Sequence, residues 1–249
     1  MRVINDMTKV KSGISGFDEI IGGGLEQRCL LLHGGPGSGK TTLTIQFLYH
    51  GAVEHNEPGI FVTLSEDPTE IRKNMLMFGY DLAKLEKDNL FQFIDARPVT
   101  FTKEGYIVPN ESLYREETIP FSHITRLITD RISKMKAKRL ALDSITVLTN
   151  QYETETYVRR GLLGLIQVLN SLSCTSILIS EDLDGVKPSR LSWALVPGVV
   201  LLYYVRKASS MVRAIQVLKM RGTKHSEDVH HIEIGDKGVV VHPEERAEL

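Results

Sequence analysis

The most constraining feature of this chain is the run Gly34-Gly35-Pro36-Gly37-Ser38-Gly39-Lys40-Thr41, which fits the spacing G-x-x-x-x-G-K-[ST]. Such a run works in one setting, between a buried strand and a helix. Both neighbours are present: Arg28–His33 is apolar and reads as a strand, and Lys40–Ala52 is amphipathic and reads as a helix. Glycines let the backbone take positive φ and turn its N–H groups inward as an anion nest, while the helix N-terminus adds its dipole at the same point. Gly35, Pro36, Gly37, Ser38, Gly39, Lys40, Thr41 and Thr42 are therefore read as a phosphate cradle for ATP. In it the Lys40 ammonium reaches the β- and γ-phosphates and the Thr41 hydroxyl ligates Mg²⁺. His33, just before the loop, reads as a packing residue.

The rest of the chain alternates short apolar runs with longer amphipathic ones, the pattern of βαβ units. Strands are expected at Gly59–Leu64, Leu90–Asp95, Arg139–Asp143 and Thr175–Ser180, with helices at Pro68–Gly79, Phe121–Lys136 and Glu155–Leu172. Pro68 suits a first helical position, where its missing N–H has no partner to lose. After Gly198 the helical runs stop. Val199–Arg206, Met211–Met220, His230–Ile234 and Val239–Val241 read as successive strands, an antiparallel extension of the same sheet. The fold class is thus α/β, a mainly parallel twisted sheet flanked by helices. Its 249 residues, 42% of them hydrophobic, are enough for one core, and a single domain over 1–249 is expected. The polar stretch Pro98–Pro120 breaks the pattern and reads as an insertion.

Net charge narrows the partners. At a formal charge of -1 the chain has no global attraction for nucleic acid or anionic membrane, so either would need a local patch. The run Arg131-Ile132-Ser133-Lys134-Met135-Lys136-Ala137-Lys138-Arg139 is such a candidate for nucleic acid, but a charged helix end before a buried strand usually faces solvent. Cys29 and Cys174 each sit beside an apolar run and read as buried, reduced thiols, which fits the cytoplasm. The longest apolar stretch, around Val196–Val205, is about half what a membrane helix needs, and no membrane partner is expected.

Two carboxylates complete the phosphate site. Arg139-Leu140-Ala141-Leu142-Asp143 is an apolar strand ending in an acid, which places Asp143 to hold Mg²⁺ opposite Thr41. Hydrolysis also needs a group that orients or deprotonates water. The end of the Gly59–Leu64 strand offers Ser65-Glu66-Asp67, with Glu66 as the base and Asp67 equally able to cap the next helix. Ser180-Glu181 is a second strand-end candidate, for sensing the γ-phosphate.

Several separate blocks together resemble the KaiC-like branch of the RecA superfamily. They are Ser12-Gly13-Ile14-Ser15-Gly16-Phe17-Asp18, Gly22-Gly23-Gly24-Leu25, Phe61-Val62-Thr63-Leu64-Ser65-Glu66, Leu142-Asp143-Ser144-Ile145-Thr146, Val158-Arg159-Arg160 and Lys219-Met220-Arg221-Gly222-Thr223-Lys224-His225. The resemblance implies a RecA-like P-loop NTPase fold and a slow regulatory ATPase assembled as a homo-hexameric ring. It also implies that Lys219 and Arg221, two apart and so on one face of a strand, reach a neighbour's γ-phosphate and make each site composite. Asp236 is implied to contact the nucleotide base of the neighbour. Two glutamates usually follow the strand at Phe61–Leu64 in this family; here the first position is Ser65, which bears on turnover more than on binding. The acceptor pair of the family's self-phosphorylating clock members falls at Trp193-Ala194, neither of which can carry phosphate. A DNA-dependent ATPase or recombination accessory role is the alternative, with Glu181–Pro197 as its pore loop. A protein partner of unknown kind is compatible with either.

Overall fold

The computed structural model describes residues 9–97, 118–181 and 191–249, with the backbone of 100–102 and 105–107. In chain order the elements are α1 (Phe17–Ile20), β1 (Cys29–Gly34), α2 (Lys40–His55), β2 (Gly59–Thr63), α3 (Pro68–Leu76), α4 (Leu82–Lys87) and β3 (Phe91–Asp95). A small pair, β4 (Thr100–Thr102) and β5 (Gly105–Ile107), comes next, and the rest of the Pro98–Pro120 insertion before residue 118 lies outside the described residues. Then follow α5 (Phe121–Met135), β6 (Arg139–Asp143), α6 (Ile145–Thr149), α7 (Glu155–Ser171), β7 (Thr175–Glu181) and α8 (Leu191–Leu195). The chain closes with β8 (Gly198–Lys207), β9 (Ser210–Met220), β10 (Val229–Gly235) and β11 (Gly238–Arg246).

Nine strands form one sheet in the order β11-β10-β9-β8-β1-β7-β6-β2-β3. From β8 to β3 the neighbours are parallel, and β8–β9, β9–β10 and β10–β11 are antiparallel. The central parallel strands β1, β2 and β6 are buried at every position because both faces are covered. In β1, Leu30 and Leu32 pack on the side of α2 while Cys29 and Leu31 pack on the side of α5 and α7, and β2 and β6 divide their residues the same way. β1 is central, and its C-terminal end, with those of β6 and β2, opens on one edge where the loops gather. A buried Arg139 ties α2 to β6: it bonds Glu57 Oε2 at 2.7 Å and the Phe47 carbonyl at 2.8 Å. Gly51 makes room for it, since a Cβ there would lie 2.1 Å from Arg139 Nε.

The expected strands and helices are all present, with shifted ends. Pro68–Gly79 is shorter than expected, because α3 ends at Leu76, Gly79 takes φ +83°, and Asp81 then caps α4 through the Lys84 amide at 3.0 Å. The last strand is longer than expected and runs through Pro243. As an edge strand, β11 can spare the missing N–H.

Candidate functional site

The loop between β1 and α2 closes on itself. Gly37 and Gly39 hold φ +74° and +99°, the left-handed values that point successive amides to one side. Gly34 is needed for space: a Cβ there would sit 2.5 Å from the Leu202 carbonyl. Ser38 Oγ and Lys40 Nζ both donate to the Gly35 carbonyl at 2.8 Å, so the ammonium is folded over the cradle. Pro36 and Gly37 are exposed, whereas Ser38 and Lys40 are buried and Thr42 is half-buried in the first turn of α2.

Strand register brings the acids to this loop. Thr63, ending β2, is level with Asp143, ending β6, and the Leu64 amide donates to the Asp143 carbonyl at 2.7 Å. Thr41 Oγ1 donates to Asp143 Oδ2 at 2.7 Å. Burial pushes the Asp143 carboxyl up to about 6, with Glu181 and Glu66 adding to the rise and the Thr41 hydrogen bond and Lys40 opposing it. A buried carboxylate among other acids is short of positive charge. The hydroxyl and carboxylate oxygens assembled here are the donors a hard divalent cation takes. Glu66 is exposed beside the site, its backbone fastened by Thr63, whose hydroxyl donates to the Glu66 carbonyl at 2.7 Å and accepts from the Glu66 amide at 3.1 Å. Asp67 is engaged elsewhere: it caps α3 through the Thr69 amide at 2.7 Å and pairs with Arg97 at 3.0 Å, and the cap bonds hold its carboxyl below the usual range. Of the two acids, Glu66 is the one whose charge bears on Asp143.

Ser180 and Glu181 end β7 one strand from the loop. The Ser180 hydroxyl meets His33 Nδ1 at 2.8 Å, and the Glu181 amide donates to Thr146 Oγ1 at 2.8 Å. His33 also packs edge-on against Trp193 at 5.3 Å between ring centres. The expected pore loop falls largely outside the described residues, at 182–190. The basic run at 131–139 is not one patch, since Arg139 is fully buried.

Lys219 and Arg221 stand apart from this cluster. Gly34 is level with Leu202, and Leu202 with Ile215, whereas Lys219 is four residues further along β9. At about 3.3 Å per residue that is roughly 13 Å from the loop level for Lys219, and more for Arg221. Lys219 follows a bulge at Leu218, and Arg221 lies one residue past the end of β9 in a turn, its amide bonded to the Pro197 carbonyl at 3.0 Å. The two still feel each other: burial lowers the Lys219 pKa, and the Arg221 charge lowers it further. Asp236 is exposed at the β10–β11 turn. That hairpin packs on the chain's own α2, with Gln46 bracketing Val239 at 2.8 and 3.1 Å.

One contact at the loop was not anticipated. Arg213 Nε donates to the Gly37 carbonyl at 2.9 Å, and its guanidinium lies 4.1 Å over the ring of Tyr204, its cross-strand partner. The signal was present as an Arg on the expected strand Met211–Met220, but only the register of β8 and β9 reveals which Arg is level with the loop.

The family described as ATPase: KaiC matches residues 10–246, nearly the whole chain. The chain belongs to the KaiC family of ATPases. A single-domain relative of similar size, the UPF0273 protein of Methanocaldococcus jannaschii, is 36% identical over 98% of this chain and 100% of its own length. The circadian clock oscillator protein KaiC of Prochlorococcus marinus is 36% identical over 94% of this chain, which spans 45% of that longer protein. A solved KaiC-like protein from the hyperthermophilic archaeon Pyrococcus horikoshii superposes with a TM-score of 0.80 at 34% identity, covering 95% of this chain and all of that one. The KaiC family thus accounts for both the mixed sheet and the separate blocks noted in the sequence. Membership as a KaiC-family ATPase implies nucleotide binding. Among the described residues no helix is long and apolar enough to cross a membrane.

Proposed function

We infer that the chain is a single KaiC-type domain that binds Mg-ATP in the Gly35–Thr42 loop, hydrolyses it slowly, and works as a ring of identical subunits. The observation that carries the binding assignment is the closure of Thr41 on Asp143 at 2.7 Å beneath a cradle already occupied by the Lys40 ammonium. The amides of the loop and the start of α2 bind the β- and γ-phosphates, and Lys40 swings from the Gly35 carbonyl onto them. Bound Mg²⁺ supplies charge neutralisation and orientation of the phosphates, with Thr41 and Asp143 as its protein-side oxygens. Glu66, standing beside the buried acid, takes the proton of the attacking water.

The composite site rests on distance. Lys219 and Arg221 are too far along the sheet to serve their own loop, and Arg221 is exposed at its other end, as a finger for a neighbour must be. With Ser65 where the family usually has a first glutamate, turnover rests on one acid and is slow. The inert, buried Cys29 and Cys174 are compatible with the cytoplasm. Particle mass measured with and without ATP and Mg²⁺, alongside phosphate release with and without single-stranded DNA, tests the reading. A nucleotide-dependent hexamer with slow, DNA-independent release is expected. A monomer in both conditions would remove the composite site, and strong stimulation by DNA would favour a nucleic-acid role.

A further inference from the structure

The turn that carries Arg221 needs a seat, because an exposed cation beyond a strand end has many rotamers and directions open to it. The seat is built by the segment before β1. Glu26, whose side chain is only 13% exposed, accepts a hydrogen bond from the Thr223 hydroxyl at 2.8 Å on one carboxylate oxygen and pairs through the other with Arg28 Nε at 3.2 Å. The same segment grips the turn twice more. A Cβ on Gly22 would come within 2.3 Å of the Lys224 carbonyl, and the Ser226 amide donates to the Ile20 carbonyl at 2.8 Å. Gly22–Leu25 and the Arg221–His225 block, far apart in the chain, are therefore two halves of one contact. On the other side the turn is fixed by backbone: Arg221 N to the Pro197 carbonyl at 3.0 Å and Thr223 N to the Met220 carbonyl at 3.3 Å. Among the described contacts of the turn, the Glu26–Thr223 bond is made between two side chains and is oriented in turn by a cation.

We propose that Glu26 is a positioning residue for the finger: its carboxylate, held by Arg28 and taken up by Thr223, aims the Arg221 turn at the phosphates of the adjoining subunit. This rests on the composite-site reading. Glu26 acts only through Arg221, so its loss leaves the subunit's own loop intact and impairs the site next door.

The consequence is an assignment of sides that a general loss of stability cannot imitate. Glu26→Ala should cut kcat about tenfold, the scale of a hydrogen bond to a charged group, with ATP affinity by calorimetry unchanged. Glu26→Gln, which keeps an oxygen for Thr223, should recover much of the loss, and Thr223→Val should lose a similar amount without disturbing Arg28. In reassembled rings, Glu26→Ala mixed with Lys40→Ala should regain activity, because some interfaces then join an intact loop to an intact finger. Glu26→Ala mixed with Arg221→Ala should not. The control is Arg221→Ala mixed with Lys40→Ala. Failure of that control despite subunit exchange overturns the composite site and this proposal together. A working control with wild-type kcat in Glu26→Ala and Thr223→Val overturns the proposal alone. So does a working control in which Glu26→Ala gives no recovery with Lys40→Ala, since Glu26 would then be maintaining its own subunit.

Discussion

The two ends of β9 differ in what they serve. Near its start, Arg213 stacks on Tyr204 and bonds Gly37 of its own phosphate loop, an end that finds its partners within the chain. Past its finish, Arg221 is exposed and its guanidinium donates to a backbone carbonyl, that of Ala194, at 3.4 Å, while Lys219 beside it is half-buried. The loop end is built to be complete before any ligand arrives, with Ser38, Lys40 and Thr41 already bonded inside it. The finger end is aimed but not engaged. One strand thus carries a cation at its own loop and leads, roughly 13 Å away, to the Lys219–Arg221 pair, and the composite-site reading assigns these two ends to different subunits.

The largest effect should come from the complete end. Lys40→Ala removes the ammonium folded over the cradle on the Gly35 carbonyl, leaving chiefly backbone dipoles to face a polyanion, and ATP binding by calorimetry should be lost. Unchanged affinity would end the assignment of this loop. Next is the aimed end: Arg221→Ala should slow turnover by about 10³-fold while ATP affinity stays within a few-fold, because a finger stabilises charge that develops in the transition state. Activity measured against mixing ratio with Lys40→Ala should peak at intermediate ratios. A flat curve with exchange confirmed would mean that both ends of β9 serve the same subunit and would dissolve the contrast.

Glu66→Gln ranks third, slowing phosphate release by about 10²-fold with binding nearly intact, the usual scale for a lost general base. Its exposed side chain and the commitment of Asp67 to Thr69 and Arg97 make the two acids separable. If release survives in Glu66→Gln, Glu181 is the next acid to test, because it too bears on the Asp143 charge.

Sequence legibility follows the same division. The loop end was readable because its chemistry is local: glycine positions, a lysine and a hydroxyl sit next to each other in the chain, and β6 ends on Asp143 as its apolar run requires. Parallel strands covered on both faces announce themselves as unbroken apolar runs, so β1, β2, β6 and β7 were found within a residue or so. The antiparallel end depends on register, which no local pattern encodes. Arg221 falls in the turn after Met220, past the strand that carries Lys219, and Arg213 reaches the loop only through the pairing of β8 with β9, neither of which a local run of residues shows. Short helices such as α1 and α4 were missed because a few residues carry too little periodicity, and α4 rests on a cap and two buried leucines.

The smallest expected effect sharpens the contrast most, because Arg213 is the same residue type on the strand that leads into the Arg221 turn. Arg213→Ala removes a hydrogen bond to the Gly37 carbonyl and a ring contact, neither of which touches the cation set on the phosphates, so ATP affinity should fall only about fivefold. The carbonyl of Gly37 then has water in place of the guanidinium, and the loop loses some of the restraint that holds its amides converged. Arg213→Lys should recover part of the bond but not the planar stacking on Tyr204. The decisive readout is again the side on which the defect falls. Arg213→Ala belongs to its own loop, so in rings mixed with Arg221→Ala the impaired loops keep their weakened affinity, and the affinity of the intact loops is untouched by a neighbour that lacks Arg213. Binding isotherms of such mixed rings should therefore resolve into two classes in the mixing proportion. A single shifted class would mean that Arg213 acts across the subunit boundary, and the opposition between the two ends of β9 would have to be abandoned.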